Sequence, residues 1–191
     1  MKLGEVIQAT TQEFVAQGYE LHQPPPFASL VRAREGQIDI FGVVYQAGTG
    51  SIEPGRRPLA RGKDQAEEED IFRSHPELAQ LLRTEFRAWV VGHRAESYSP
   101  ALPPRPPRIH SFVYACSPEE MASLGSCLDF LTPLVAAPFP SRDELVSRLL
   151  LSLAQHQEDP QGYLVRAGKE LTLLLRQDGA RLRGLLRGLR P

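Results

Sequence analysis

The chain has little cysteine, and this scarcity excludes several classes of protein. Cys116 and Cys127 are the two cysteines among 191 residues, and they form no CxxC pair. Two thiols cannot supply a disulfide framework, so we expect a reducing compartment. The five histidines show no paired HxxxH spacing, and nothing in the sequence predicts a metal site. We therefore expect neither a metal nor a cofactor.

Long hydrophobic runs are also missing. The first residues, Met1–Glu5, lead into no apolar region of the kind that a signal peptide needs. A membrane-spanning helix needs about 20 apolar residues, whereas the longest candidate, 128–139, contains Asp129 and two prolines. The sequence therefore predicts a soluble, cytoplasmic protein without a membrane span.

Complete catalytic motifs are lacking as well. Gly50–Arg57 comes close to the phosphate-binding pattern GxxxxGK[ST], but Arg56 and Arg57 replace the lysine and the hydroxyl residue, and Pro54 removes a backbone donor. Cys116 and His110 are six residues apart, which on a strand separates them by about 20 Å. That distance is too large for proton transfer, so the sequence predicts a protein that is not an enzyme.

The first half of the chain contains a series of short strand patterns separated by turn residues. Strands are predicted within 3–21 as a pair, and over 27–34, 38–46 and 84–93. A helical insertion is predicted near 65–83, where Ser74 precedes Pro76 and Glu77 as a candidate cap. Short, regularly spaced strands are typical of a small barrel. We therefore predict an α+β protein whose residues 1–95 form an N-terminal β-barrel.

The second half is predicted to be mainly helical. Residues 96–108 are a proline-rich linker that favours polyproline II and marks a domain boundary. The region 109–191 begins with one alternating strand pattern, 109–116, and continues with leucine stripes at helical spacing. Capping boxes are predicted at Ser117 and Ser141, and further helix starts at Asp159 and Asp178.

Short glycine and valine motifs recur in the first 93 residues in a recognisable order. They are Leu3–Val6, Ala28–Val31, Phe41–Val44 and Ala88–Gly92. In this order they resemble the HAS barrel, the small β-barrel shared by HerA-type DNA translocases and the N-terminal domains of ATP-synthase catalytic-ring subunits. Ala28 and Ser29 stand where that family has glycine. The whole chain is similar to small stand-alone HAS-barrel proteins of cyanobacteria.

The resemblance implies a function in assembly. In HerA-type proteins the barrel precedes an ATPase domain and acts as a collar that docks onto oligomers or partner chains. This chain instead continues into leucine-rich helices, so the ATPase residues have no counterparts here. The resemblance therefore implies a non-catalytic interaction module that docks on a larger complex, for which an assembly with a P-loop ATPase is one candidate.

Two clusters of basic residues are the candidate contact surfaces. The first comprises Arg56, Arg57, Arg61 and Lys63, and the second comprises Arg183, Arg187 and Arg190 at helical spacing. The net charge of −1 means that any basic function is local. Three alternatives remain for these residues: a solvated surface neutralised by the acidic run 67–70, an accessory protein that binds nucleic acid, and a small-anion-binding protein or unrecognised enzyme.

Overall fold

The computed structural model of the protein describes residues 1–53 and 55–189. The strands are β1 (Lys2–Ala9), β2 (Glu13–Gly18), β3 (Leu30–Glu35), β4 (Ile38–Ser51), β5 (Leu82–Arg94), β6 (Tyr98–Ser99) and β7 (Phe112–Ala115). The helices are α1 (Glu68–Ser74), α2 (Leu78–Leu81), α3 (Pro118–Gly125), α4 (Leu131–Val135), α5 (Arg142–Ala154), α6 (Pro160–Leu174) and α7 (Gly179–Gly188).

Six strands form a closed antiparallel barrel. They pair in the order β2-β1-β7-β3-β4-β5, and pairing of β5 with β2 closes the barrel. The short strand β6 extends the sheet outside this ring by pairing with the end of β5. The α+β class and the presence of a small β-barrel are therefore confirmed.

The strand β7 lies in the barrel wall, between β1 and β3. The sequence groups this strand with the helical region 109–191, and the structure shows that it completes the barrel begun by 1–95. The proline-rich segment between them lies against the barrel, because Pro103 and Pro107 are buried. The Tyr98 hydroxyl also donates to the carbonyl of Val91 at 2.8 Å.

The barrel interior is filled by apolar side chains. Val6, Phe14, Val31, Ile40 and Phe86 are completely buried there. Their strands alternate in the way that one-sided burial requires, with successive side chains on opposite faces. A packed interior makes this barrel a solid core rather than a container.

A second core lies between the outer face of the barrel and the helices. Phe41 and Val43 of β4 point into it, and the buried leucines of α3 to α7 pack around them. Phe139, in the connection between α4 and α5, stacks on Tyr45 with ring centroids 4.4 Å apart. The short helices are therefore stabilised by packing against β4 and against one another, as their length demands.

Two glycines lie where another backbone segment comes too close for a side chain. A Cβ at Gly4 would be 2.1 Å from the carbonyl oxygen of Gln17. A Cβ at Gly92 would be 2.4 Å from the carbonyl oxygen of Ser99, and Gly92 has a φ of 155° that side-chain-bearing residues rarely adopt. Glycine is therefore required at Gly4 for the close pairing of β1 with β2, and at Gly92 for the close approach of β6 to β5.

Three of the five predicted helix caps are present in the structure, and two are not. The Ser117 capping box is present, and Asp159 and Asp178 accept hydrogen bonds from Gly162 and Arg181. The predicted box at Ser141 is wrong, because its side chain makes no capping bond although α5 begins there. The predicted cap at Ser74 is also wrong, since Ser74 ends α1.

The two serines give a matched test of capping. Ser117→Ala removes a side-chain oxygen that accepts from the Glu120 N–H at 3.2 Å, so we expect the free energy of unfolding to fall by about 1 kcal/mol. Ser141→Ala removes no such bond, and we expect a loss below about 0.5 kcal/mol. Urea titrations with unchanged m values would measure both; equal losses would contradict the assignment.

Candidate functional site

The first basic cluster lies at the far end of the hairpin formed by β4 and β5. These strands pair from Asp39 and Arg94 as far as Ser51 and Leu82. The connection between them contains Arg56, Arg57, Arg61 and Lys63 together with α1 and α2. All four basic residues are exposed. The hairpin thus presents the basic cluster beyond the part of β4 that pairs with β3.

Three of these arginines line a groove with an apolar floor. The groove has a volume of about 300 Å³, and its lining includes Arg56, Arg57 and Arg61, which are exposed, and the partly buried Leu78, Leu81 and Leu82, which we call its leucine floor. The leucines come from α2 and the start of β5, so the helical insertion supplies part of the lining of the groove. Lys63 does not line this groove. We call it the hairpin groove.

The charges in the hairpin groove are only partly neutralised. Arg56 Nη1 lies 2.8 Å from Glu53 Oε2, and this hydrogen bond raises the pKa of Arg56. No described carboxylate lies within 4 Å of the guanidinium nitrogens of Arg57 or Arg61, and Arg61 instead faces the His75 ring at 3.5 Å. Among the described residues, the acidic run 67–70 forms no ion pair with the cluster. Two arginines are therefore available to an anionic partner.

The near-match to a phosphate-binding loop adopts a different structure. Gly50 and Ser51 belong to β4 and pair with Arg83 and Leu82. The Ile52 N–H donates to the Leu81 carbonyl at 3.0 Å, and α1 begins only at Glu68. Pro54 lies outside the described residues. Strand pairing therefore occupies the Ile52 N–H and holds Gly50 and Ser51 in an extended strand instead of a phosphate cradle, and no helix N-terminus follows directly.

The second basic cluster lies on α7. Arg183 and Arg187 are exposed, and Arg190 lies outside the described residues. The neighbouring Arg181 has a structural role: its guanidinium binds Asp143 at 2.5 to 2.9 Å and the Val135 carbonyl at 2.8 Å. Part of the leucine stripe of α7 is covered within the chain, because Leu185 and Leu189 are buried in the helical core, whereas Leu186 is exposed. No described hydrogen bond or ion pair joins this cluster to the first.

Cys116 and His110, the thiol and the histidine considered above as a catalytic pair, make separate local contacts. Burial raises the pKa of Cys116 to about 12, so this thiol stays protonated and unreactive near neutral pH. His110 Nδ1 lies 3.1 Å from Glu5 Oε2, and the contact lowers the pKa of Glu5. Each residue therefore has a local explanation that does not involve the other.

A charged cluster at the barrel rim was not predicted from the sequence. Asp39 accepts hydrogen bonds from Arg32, Arg34 and Arg94 at 2.9 to 3.0 Å. Arg94 also donates to Glu120 of α3 at 3.1 Å. Arg32 Nε lies 3.1 Å from the same Glu120 oxygen, but its angle is too poor for a hydrogen bond. The cluster joins β3, β4 and β5 to the first helix of the bundle.

The electrostatics of this cluster favour ionised Asp39. Desolvation opposes the charge, since the Asp39 side chain is 9% exposed, but the bonds from Arg94, Arg34 and Arg32 outweigh it and lower the pKa of Asp39. A charged residue inside the apolar run Ile38–Val44 is the sequence signal that could have indicated it. The Asp39 carboxylate is bonded by three arginines of the chain itself, so we assign the cluster a structural role.

No protein-family model matches the sequence, and no curated protein matches it at a significant level. Within residues 1–53 and 55–189, no helix has the length and apolar character that crossing a membrane requires. The same residues contain no group of three or more histidine, cysteine or acidic side chains arranged to hold a metal ion. The geometry of the hairpin groove is therefore the main basis for a functional proposal.

The role of Asp39 predicts a pH dependence of stability. The folded-state pKa is lowered, so the stabilisation is complete above the unfolded pKa of about 4 and disappears as the pH falls through the folded value. We expect Asp39→Asn to reduce the free energy of unfolding at pH 7 by about 2 kcal/mol. The difference from the native chain should shrink below pH 4.

Glu53→Gln provides the control for this prediction. It breaks an ion pair whose side chains are 65% and 49% exposed, and exposed pairs contribute less than about 1 kcal/mol. Urea unfolding from pH 7 to pH 3 would measure all three chains. A deficit for Asp39→Asn that stays constant with pH would contradict the ion-cluster account.

Proposed function

We propose that the protein is a non-catalytic docking module that binds a partner protein through the hairpin groove. The observation that carries this proposal is the groove itself, where Arg57 and Arg61 flank a leucine floor. Protein interfaces combine apolar anchor sites with arginine, which is enriched there relative to lysine. The guanidinium groups of these two arginines pair with no described carboxylate, which favours a partner segment that carries carboxylates.

The packed barrel supports binding on the outer surface. Phe14, Ile40 and Phe86 are completely buried inside it, whereas barrels that hold a small ligand need about eight strands. A rigid barrel wall carrying a protruding hairpin suits the presentation of a contact surface. The barrel thus serves as the scaffold and the hairpin as the binding element.

The resemblance to HAS barrels supports a role in assembly. Ala28 stands where the family pattern has glycine, and its φ of 68° lies in the left-handed region that glycine favours. Gly4 and Gly92, which belong to the same set of motifs, are positions where a Cβ would collide with backbone. By this likeness the protein docks on a larger complex, one that contains a P-loop ATPase.

Nucleic acid is the competing partner for the same arginines. Proteins that bind single strands use aromatic side chains on which bases stack, and no described residue that lines the hairpin groove is aromatic. The net charge of −1 gives no general attraction to phosphate backbones. The leucine floor and the absence of a stacking platform favour protein as the partner.

Charge reversal in the groove tests this function. We expect Arg57→Glu/Arg61→Glu to reduce capture of the partner protein from a lysate of the native host at least tenfold, because like charges in an interface cost several kcal/mol. The control Arg105→Glu/Arg176→Glu changes the net charge equally at exposed sites outside the groove. Quantitative mass spectrometry of the captured proteins measures both.

Three results would contradict the docking function. The first is recovery of the native chain without any partner. The second is an equal loss of capture in both double variants, which would indicate a general charge effect. The third is loss of the captured material after nuclease treatment, combined with tight binding of single-stranded DNA or RNA at low salt, which would identify nucleic acid as the ligand.

A further inference from the structure

The second half of β4 is a free edge of the sheet. β3 pairs with β4 only from Ile38 to Val43, whereas β5 pairs with it as far as Ser51. The residues 46–51 therefore have a neighbouring strand on one side only. Gln46, Ala47, Gly48 and Thr49 are exposed, so no other part of the described chain covers this edge.

The hydrogen-bond pattern shows which backbone groups are free. The Val44 N–H donates to Ser29 on the β3 side, and a bulge between Val44 and Gln46 shifts the register. The Ile52 N–H then donates to Leu81 on the β5 side. Since bonding directions alternate along a strand, Ala47 and Thr49 point their N–H and C=O groups outward, as does Ser51.

This edge lacks the features that usually block strand addition. Natural edges are protected by charged side chains, proline or a covering segment. The sequence here is Gln46-Ala-Gly-Thr-Gly-Ser51, without a charge or a proline. Gly48 and Gly50 carry no side chain, and a Cβ at either position would have no neighbour within 4 Å. An extended peptide could therefore approach the backbone closely.

The free edge and the hairpin groove form one continuous surface. Ser51, the last residue of the edge, also lines the hairpin groove. A segment that follows the edge from Gln46 to Ser51 therefore arrives next to Arg57, Arg61 and the leucine floor. At about 3.4 Å per residue, the edge accommodates roughly six residues of an added strand.

We propose that an extended, acidic segment of the partner protein adds to the sheet as a strand along Gln46–Ser51. Main-chain hydrogen bonds to Ala47, Thr49 and Ser51 would supply affinity, as in other strand-addition complexes. Carboxylates next to that strand would pair with Arg57 and Arg61, and an apolar side chain would fill the leucine floor. This inference rests on the proposed docking function and specifies what is recognised.

A distinct acidic partner fits this surface better than a second copy of the chain. Edge-to-edge pairing of two copies would bring a second Gln46–Ser51 segment, which contains no carboxylate for Arg57 and Arg61. The guanidinium groups of Arg57 and Arg61 would then still have no carboxylate partner. Charge complementarity therefore favours an acidic segment from another protein.

Thr49 allows the edge to be tested without disturbing the hairpin. The Thr49 N–H points away from β5, so Thr49→Pro removes this N–H without breaking a hydrogen bond to β5. Proline is tolerated at such positions of an edge strand. Thr49→Val keeps the N–H and loses the same hydroxyl contact to Thr84, at 2.8 Å. The two variants thus differ mainly in the donor that strand addition requires.

The probe is a displayed library of random 12-residue linear peptides, selected on the full-length chain. We expect enriched peptides to be acidic and rich in β-branched residues. Synthetic copies should bind Thr49→Pro at least tenfold more weakly than the native chain, and Thr49→Val within about twofold of it. Methylating alternate backbone nitrogens of the peptide should also weaken its binding to the native chain at least tenfold. This second measurement tests strand addition even if Thr49→Pro fails to fold.

Several outcomes would overturn the inference. They are the absence of enriched peptides, enrichment of basic or uncharged ones, and equal affinity of both Thr49 variants together with tolerance of backbone methylation. A concentration-dependent dimer that Thr49→Pro abolishes would identify a second copy as the occupant instead. If Thr49→Pro still captures a native partner in a manner dependent on Arg57 and Arg61, strand addition fails while the docking function survives.

Discussion

Burial of both faces of β4 is the constraint on which the architecture depends. Ile40 and Val44 fill the barrel, while Phe41 and Val43 face the helices. A strand buried on both sides is a nearly continuous apolar run, and that is what this segment of the sequence contains. Since one strand serves two cores, the barrel and the helical bundle cannot separate without exposing it.

The same strand changes character after Tyr45. A bulge between Val44 and Gln46 marks the point where the helices and β3 leave β4, and bulges of this kind bend a strand and increase its twist. Beyond it the residues become small, polar and exposed. The buried half thus fixes the position of the exposed half, which carries the free edge and leads to the hairpin groove.

The barrel strands were predictable because their signal is local. Alternation and turn residues located β1, β2, β3, β5 and the start of β4 to within a few residues, and the helices from Asp159 and Asp178 began as expected. The position of β7 between β1 and β3 was not predictable, because pairing partners distant in sequence leave no local pattern. The Ser141 box failed for a related reason: the pattern does not determine where the serine side chain points.

Only the basic residues of the candidate site could be predicted from the sequence. The cluster Arg56, Arg57 and Arg61 was evident from composition, but its leucine floor comes from residues about twenty positions later, which only the fold brings close. The free edge is not evident from the sequence, because the predicted strand ends at Gln46 whereas β4 continues to Ser51. Glycines in this segment indicate the end of a strand when only the sequence is considered, whereas pairing with β5 holds them in an extended conformation.

We propose that the β4–β5 hairpin is the surface that partners recognise. Hydrogen-exchange mass spectrometry on the full-length chain, alone and in its native complex, tests this most directly, since exchange reports which backbone amides become protected. We expect slower exchange concentrated in residues 46–61 and no change in the barrel interior. Protection confined to α7, or the absence of any change along the hairpin, would contradict it.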